Sequence, residues 1–384
     1  MQIATTKVCL NPQAPIKAIG YAQQTQPMER IRDFLYGRIL LLRQGNEAFV
    51  LCALDLCYSP RSLQRQLQQT LETRWGAAVH VIISCTHTHF GPDIHDEAYQ
   101  TLVLRQLADA ILAMKPRTAQ LTCGYAWEPY RQVGDSRISH WQTDQVLAHT
   151  LCFYEGSARV ASLCIYNCHP TVLGGDTPFF TGEYPGVALR ALESRHSGEF
   201  FAFLQGAAGD VSTRFTRRAQ TEQEMEAFGL KMADEFVRLL AQSSPVHPLT
   251  LAYRERLVKL SHSLKNPDRL VIPDYYSPRE REVLEYGIAF SKQNLAHPET
   301  LQADARIDTL CLGPYRLVFC ENELFSEYNR ALDPQRAALV CYAQGQGPYI
   351  AGPSFDGMTY ETLQDTLSDA SRQALLAAIA EAGK

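Results

Sequence analysis

The chain has 384 residues, of which 46% are hydrophobic and 20% are charged, close to the averages of globular proteins. This composition excludes a disordered chain, a collagen-like fibre and a long coiled coil. A formal net charge of −5, without any block of like charges, argues against a general affinity for nucleic acid or for an anionic membrane. The length suits two domains or one large α/β domain.

The cysteines and the N-terminus predict a cytoplasmic protein. The 11 cysteines are odd in number, so they cannot form a fully paired disulfide framework, and most lie in apolar runs typical of reduced, buried thiols. The N-terminus lacks a basic region followed by an apolar one. No apolar stretch approaches the roughly 18–20 residues of a membrane helix, so we expect no stable membrane insertion. The oligomeric state is not indicated.

Strand-like runs alternate with amphipathic segments along the chain. The predicted strands are 37–42, 48–56, 79–84, 147–154, 160–166, 200–204, a region near 307–320, and 338–343. Four helices are predicted. The first starts after Ser59-Pro60, read as an N-cap with proline at the first helical position, and the second passes through Leu102 and Leu107. The third follows a capping box at Thr221, and the fourth closes the chain near 368–382. This alternation of strands and helices along the chain predicts an α/β fold. Because several neighbouring strands read as hairpins, we expect a mixed sheet core flanked by helices. We expect one domain over 1–384, although the proline-rich segments within 243–278 could bound a subdomain.

The first group of candidate functional residues is an H-x-H motif after the predicted strand 79–84. His87 and His89 are two residues apart, and such residues on an extended segment point the same way. Ligands of open α/β sheets bind at the carboxyl ends of strands. The motif therefore favours metal binding or acid–base chemistry over a solvated loop.

Two further motifs also follow predicted strands. His169 precedes Pro170, which disfavours the helical conformation of the residue before it, and it could supply a third imidazole or only bond a carbonyl. The loop 206–212, Gly-Ala-Ala-Gly-Asp-Val-Ser, permits close approach of a ligand. It lacks the lysine of a phosphate loop and is not a G-x-S-x-G elbow, so it reads as a substrate contact or a tight turn.

Carboxylates and tyrosines supply the last motif. Glu321 and Glu323 follow a strand and could share a face, and the residues alone do not choose between them. Tyr349 and Tyr360 come later, in loops where tyrosines more often pack than bind. Two histidines with one carboxylate form a standard ligand set of zinc hydrolases, with one position left for water.

Taken in order, these motifs resemble the neutral/alkaline ceramidases. Thr86-His87-Thr88-His89-x-Gly91-Pro92 resembles the T-H-T-H-x-G-P signature of that family. The resemblance continues along most of the chain, at Leu54-Asp55-Leu56, Asp135-Ser136-Arg137, Asn167-Cys168-His169-Pro170-Thr171, Gly182-Glu183-Tyr184-Pro185-Gly186, Gly209-Asp210-Val211-Ser212, Glu323-Leu324-Phe325, Tyr349 and Tyr360-Glu361.

The resemblance implies a catalytic domain of the ceramidase type that uses one Zn²⁺. The implied zinc ligands are His87, His169, Glu323 and Tyr349. The residues implied to act on the scissile amide are His89, Arg137 and Tyr360, and Ser212 is implied to contact the substrate. Asp55 or Asp210 could orient a ligand imidazole.

This sequence also departs from the family's motifs at several positions. Asn322 stands where the family has a glycine before the glutamate, so Glu321 stays a rival ligand. Glu183 replaces an aspartate, and Thr213-Arg214 replaces Pro-Asn. Full ceramidases are longer, with an immunoglobulin-like C-terminal domain that we do not expect here, and they are commonly exported. A smaller or more soluble N-acyl amide than ceramide is therefore the expected substrate.

The predicted activity is hydrolysis of an N-acyl amide by a zinc-activated water, with His89 as base and with Tyr360 and Arg137 stabilising the oxyanion. Three alternatives stay open at this point. The same zinc fold could form amides or transfer acyl groups, Ser212 could be the nucleophile of a serine amidase, or the chain could be a non-catalytic binding protein.

Overall fold

The computed structural model describes residues 1–22, 24–272, 274 and 276–384. Pro273 and Tyr275, in the proline-rich segment 243–278, lie outside the described residues. The strands are β1 (Gln2–Cys9), β2 (Tyr36–Gln44), β3 (Glu47–Leu54), β4 (Ala78–Cys85), β5 (Arg117–Thr118), β6 (Leu121–Pro129), β7 (Asp135–Ser136), β8 (Leu147–Glu155), β9 (Ala158–Tyr166), β10 (Phe200–Gln205), β11 (Val211–Ser212), β12 (His247–Pro248), β13 (Leu251–Lys259), β14 (Asp304–Leu312), β15 (Tyr315–Cys320), β16 (Glu323–Leu324), β17 (Ala337–Val340) and β18 (Tyr349–Ile350).

The α-helices lie between these strands and at the end of the chain. They are α1 (Arg61–Trp75), α2 (Glu97–Ala113), α3 (Glu183–Arg195), α4 (Glu222–Gln242), α5 (Pro278–Ala296), α6 (Tyr360–Gln364) and α7 (Asp369–Ala382). Short 3₁₀ turns occupy Pro267–Arg269, Pro298–Thr300 and Ser326–Ala331. Among the residues that the structure describes, every helix is too short or too polar to span a lipid bilayer.

The strands form a mixed set of sheets, which confirms the predicted α/β class. One sheet has the order β4-β3-β2-β1-β5, a second β10-β9-β8-β6-β12, and a third β13-β14-β15-β17. The predicted hairpins β2–β3 and β8–β9 are antiparallel. The pairs β3–β4, β9–β10 and β15–β17 are parallel. Because parallel neighbours end at the same edge, the loops that follow them meet there.

The helix starts show where local sequence rules hold. Thr221 caps α4 by accepting a hydrogen bond from the backbone N–H of Glu224, but the Glu224 side chain accepts from the Arg218 backbone N–H, so only half of the predicted capping box forms. The predicted cap of α1 is wrong: Pro60 is the N-cap residue, and no side-chain hydrogen bond caps that helix. The buried Ser59 hydroxyl has no hydrogen-bond partner, and the first turn of the helix is closed by the hydrogen bond from the Leu63 N–H to the Pro60 carbonyl, 3.0 Å long.

The cores lie between the sheets and under the helices. Leu63, Leu67 and Leu71 of α1 are fully buried against β4, as their helical spacing predicts. Phe228, Met232 and other apolar residues of α4 pack in a second cluster with α3 and β10. All 11 cysteines are free thiols, and all except Cys9 are buried, as their apolar sequence context indicates.

The segment after β17 joins the edges of all three sheets. The backbone N–H of Cys341 donates to the carbonyl of Gln205 at the end of β10, at 2.8 Å. Cys85, at the end of β4, donates to the carbonyl of Tyr342 at 3.0 Å, and Gln344 donates to Ile83 at 2.7 Å. The ends of β4, β10 and β17 are therefore held side by side, which brings the motif loops together.

Candidate metal centre

Three side chains from distant parts of the chain meet at this junction. His87 follows β4, His169 follows β9, and Glu323 begins β16. The two histidines are 0% exposed and Glu323 is 3% exposed. Glu323 Oε2 lies 3.2 Å from His169 Nε2 and 3.6 Å from His87 Nε2.

His87 and His89 do meet, but the expected extended geometry is wrong. His87 has a φ of 61°, a left-handed conformation that few residues other than glycine adopt. The Nε2 atoms of His87 and His89 nevertheless lie 3.2 Å apart. The backbone hydrogen bond from His87 N–H to the carbonyl of Leu56, 3.0 Å long, helps to hold this conformation, which is typical of functional sites.

Backbone carbonyls orient both ligand imidazoles. His87 Nδ1 lies 3.0 Å from the carbonyl oxygen of Cys57, and His169 Nδ1 lies 2.7 Å from that of Ala208. A carbonyl oxygen only accepts hydrogen bonds, so each Nδ1 carries the proton and each Nε2 presents its lone pair to the centre.

The prediction that Asp55 or Asp210 orients an imidazole is therefore wrong. Asp55 instead accepts a hydrogen bond from the Tyr36 backbone N–H at 2.9 Å. Asp210 accepts from the Ser326 hydroxyl at 2.9 Å and from the Ser326 backbone N–H at 2.5 Å. Burial raises the pKa of each of these carboxyl groups to about 6. Asp210 thus anchors the start of the turn after β16.

The donor set fits a bound cation. Two imidazole lone pairs and a carboxylate oxygen converge, and such a cluster of acceptors is unfavourable without a positive charge between them. Burial holds the pKa of His87 and His169 well below the usual range, so the imidazoles do not supply that charge. Ligand atoms around a tetrahedral zinc ion are about 3.3 Å apart, given bonds of about 2.0–2.1 Å, and the observed 3.2 and 3.6 Å agree with that spacing.

A parallel strand pair brings Tyr349 to the same cluster. Strand β16 pairs with β18 so that Glu323 stands opposite Tyr349. The Tyr349 hydroxyl lies 3.3 Å from His169 Nε2. Burial raises the pKa of this phenol well above its usual value, so the group is a neutral phenol in the absence of a metal.

Glu321, the rival carboxylate, lies in a different network. Its Oε2 accepts from Arg61 Nε at 2.7 Å, and its Oε1 accepts from the backbone N–H of Arg306 at 3.0 Å and from Gln302. A second oxygen-to-guanidinium contact with Arg61 is 2.5 Å long. Glu321 is 1% exposed, so this ion pair compensates its buried charge.

A second set of potential ligands shares His87. Within the described residues, Cys57, His87 and His89 also have ligand atoms within 4.8 Å of one another. Burial raises the pKa of the Cys57 thiol well above its usual value, and only a thiolate binds metals strongly. The Cys57 sulfur also faces His87 Nδ1, at 3.6 Å, on the opposite side of the ring from Nε2. The first set therefore fits a metal better.

Two tyrosines at the centre were not found from the sequence. Tyr58 donates its hydroxyl to Glu323 Oε1 at 2.7 Å. Tyr342 stacks on His87 with ring centroids 3.9 Å apart, and its buried hydroxyl has no hydrogen-bond partner. Tyr58 comes four residues after the end of β3, and Tyr342 comes two residues after the end of β17. Position after a strand alone does not distinguish such tyrosines from the many that pack in a core.

Arg137 and Tyr360 border the centre. The Arg137 guanidinium lies 5.2 Å from the centre of the Tyr349 ring and forms an ion pair with Glu361 at 2.5 Å. The Tyr360 ring is 6.0 Å from that of Tyr349. Burial raises the pKa of Tyr360 to about 12, so the phenol keeps its proton at neutral pH and can donate a hydrogen bond.

Ser212 lies beside the centre without the partner that a nucleophilic serine requires. It is 4% exposed, and its backbone forms a bridge with that of His169. Its hydroxyl oxygen accepts a hydrogen bond from the backbone N–H of Arg214 at 3.1 Å. In the described part of the chain no imidazole is hydrogen-bonded to this hydroxyl, whereas a serine nucleophile needs an adjacent base.

His89 packs directly against Gly20, in the space that a side chain at position 20 would fill. A Cβ atom on Gly20 would lie 2.1 Å from His89 Cβ and 2.2 Å from its Cα. We therefore expect Gly20→Ala to lower the free energy of unfolding by about 1–3 kcal/mol or more, as overpacking does, and to lower activity by displacing His89. Urea unfolding and turnover measure the two effects.

Gly186→Ala is the matched control, because the nearest atoms to its added Cβ lie at an ordinary 3.6 Å. That substitution lies in α3 and should leave stability unchanged or raise it by up to about 1 kcal/mol. An equal free energy of unfolding and equal turnover in the two variants would contradict the packing of Gly20 against His89.

Comparison with known proteins identifies structural relatives. No protein-family model matches the sequence, and no curated protein matches it at a significant level. A structure described as ceramidase complexed with C2 superposes with a TM-score of 0.78 and 13% identity, over 100% of this chain and 74% of that one. The neutral ceramidase from Pseudomonas aeruginosa superposes with a TM-score of 0.77 and 12% identity, over 100% and 74% of the two chains. The chain thus has the neutral ceramidase fold over its whole length.

Proposed function

We propose that this protein is a zinc-dependent amidohydrolase that cleaves an N-acyl amide. The observation that carries the proposal is the convergence of the His87 and His169 Nε2 lone pairs on the Glu323 carboxylate. The ceramidase fold adds support, because the structures that share it are ceramidases by name. We further propose that residues 1–384 act as one catalytic domain and that ceramide itself is a poorer substrate than a smaller N-acyl amide.

We propose that Zn²⁺ is held by His87, His169, Glu323 and Tyr349. When bound, the ion would supply a Lewis acid and a water of lowered pKa. The Tyr58 hydroxyl, which donates to Glu323 Oε1, keeps Oε2 turned towards the imidazoles. The carbonyls of Cys57 and Ala208 hold the imidazole tautomers, so the ligand atoms are in place before metal binding.

His89 is the proposed base. Burial and the nearby His169 and Arg137 keep the pKa of His89 well below its usual range, so the ring is neutral and accepts a proton. The buried His89 Nδ1 has no hydrogen-bond partner. In hydrolysis a water oxygen bonds to the acyl carbon, the C–N bond breaks, and His89 carries the proton from the water to the leaving nitrogen.

Arg137 and Tyr360 are the proposed donors to the oxyanion. The guanidinium keeps its positive charge under all relevant conditions, and the Tyr360 phenol keeps its proton. Glu361 fixes Arg137 through their ion pair, so the charge is positioned before the reaction begins. Such preorganised donors stabilise a developing oxyanion more than mobile water does.

The direct test is metal analysis of the purified protein followed by assays with a panel of N-acyl amides. We expect about one zinc per chain, and turnover that a chelator abolishes and zinc restores. Detection of acyl transfer to an added amine in place of hydrolysis would favour the amide-forming alternative. Protein that binds no metal and cleaves none of the amides would contradict the proposal.

Substitution of Ser212 separates metal-dependent from covalent catalysis. We expect Ser212→Ala to keep its single-turnover rate within about tenfold, because the lost hydrogen bond is worth about 1 kcal/mol. His89→Ala and Tyr360→Phe should lower that rate by roughly 10²–10⁴, with zinc content unchanged. Complete inactivity of Ser212→Ala with zinc in place, or an acyl group trapped on Ser212, would instead support a serine amidase.

A further inference from the structure

The proposed catalytic donors Arg137 and Tyr360 also line a pocket, and none of the four proposed zinc ligands lines it. Arg137, Tyr360 and Glu361 line it together with Arg214, Glu280 and Leu284. A substrate held by Arg137 and Tyr360 would therefore lie next to this pocket. The charges in its lining decide which chemical group fits there.

Most charges of the pocket already have partners. Arg137 and Glu361 form an ion pair at 2.5 Å. The Glu280 carboxylate accepts hydrogen bonds from the Ser277 hydroxyl at 2.7 Å and from the Ser139 hydroxyl at 2.9 Å. These contacts, together with the Ser277 backbone N–H, fix Glu280 as part of the capping box of α5.

Arg214 differs from these residues. Within the described part of the chain, no carboxylate lies within ion-pairing distance of its guanidinium, which lies 5.4 Å from the centre of the Phe215 ring. Arg214 is half-buried, and this burial lowers the pKa of its guanidinium, which the attraction of Glu280 only partly offsets. A half-buried cation that lacks an anion is unfavourable in the free protein and is a good binding partner for one.

We propose that Arg214 binds a single carboxylate on the substrate, so that the enzyme acts on N-acyl amides of the N-acyl amino acid type. The proposal rests on the proposed amidohydrolase function and names its substrate class. A planar guanidinium binds a carboxylate through two parallel hydrogen bonds. Because Glu280 also faces the pocket, a doubly charged group such as a phosphate monoester fits less well than a single carboxylate.

The probes are N-octanoylglycine and its methyl ester, which share the acyl amide and differ in one negative charge. Binding is measured by calorimetry with the zinc-loaded protein carrying His89→Ala, in which turnover is slow. We expect the carboxylate to bind about 10–100-fold more tightly than the ester, the range for a charge-assisted hydrogen bond. Adding Arg214→Gln should remove this preference, and Arg214→Lys should retain part of it.

Arg218→Gln is the matched control, since Arg218 is an exposed arginine four residues further on and does not line the pocket. It should keep the full preference. Equal binding of the two probes overturns the proposal, and so does a preference for the carboxylate that survives Arg214→Gln. If that preference survives Arg214→Gln but is lost in His169→Ala, the carboxylate binds the metal. Failure of the amidohydrolase function is seen separately, as absence of zinc-dependent turnover of both probes by the protein with His89 intact.

Discussion

Replacing either His87 or His169 by alanine should remove zinc from the protein and abolish amide hydrolysis. Each residue supplies a neutral imidazole whose Nδ1–H is held by a carbonyl, and no other described imidazole occupies the same position. Loss of a residue that only supports a ligand costs about 10–100-fold in metal affinity, so loss of a ligand should cost at least about 100-fold. Mass spectrometry of the metal content and chelator competition measure the affinity.

His95→Ala controls for general effects of losing a histidine, because His95 is exposed on the loop that follows His89. It should keep full zinc occupancy and activity. Full zinc occupancy in both His87→Ala and His169→Ala would exclude both described ligand sets, whereas full occupancy in His169→Ala with loss in His87→Ala would indicate the set of Cys57, His87 and His89. Cys57→Ser would then test that set.

Glu323→Gln should abolish activity, whereas Glu321→Gln should keep it. Glu323 Oε2 faces both imidazoles, and a neutral amide there removes the negative charge that the metal requires. We expect a loss of activity of at least about 100-fold together with weaker zinc binding. Turnover and metal content are measured for both variants under the same conditions.

Glu321→Gln should instead show its effect in stability. Glu321 is ion-paired with Arg61 and hydrogen-bonded to Gln302, so glutamine weakens this network and leaves Arg61 less compensated. We expect the free energy of unfolding to fall by about 1–3 kcal/mol, measured by urea denaturation. Reversed sensitivities, with Glu321→Gln inactive and Glu323→Gln active, would assign the metal to Glu321.

Much of the fold could be predicted from local patterns. The hairpin of β8 and β9 follows from two strand-like runs on either side of Glu155-Gly156-Ser157, and the helix through Leu63, Leu67 and Leu71 follows from helical spacing. The structure places both where the patterns predict them. Such patterns are local because side-chain periodicity reports which face of an element is buried. The false cap at Ser59 shows their limit, since proline can start a helix without a side-chain cap.

The candidate site was only partly predictable. Motifs after strand ends pointed to His87, His89 and His169, and the structure brings all three together. The reason given for His87 and His89 was wrong, because His87 adopts a left-handed conformation. No local pattern predicts that conformation in a histidine, as it depends on backbone hydrogen bonds to residues about thirty positions earlier.

The sequence by itself determined which residue types are available and that they follow strand ends. Only the tertiary structure decided between Glu321 and Glu323: the pairing of β16 with β18 puts Glu323 opposite Tyr349, while Arg61 binds Glu321. It alone also brought Tyr58 to Glu323 and left Arg214 without a carboxylate partner. The contacts of Tyr58 and Arg61 join residues more than two hundred positions apart, and side-chain spacing along the chain carries no information about such contacts or about their absence at Arg214.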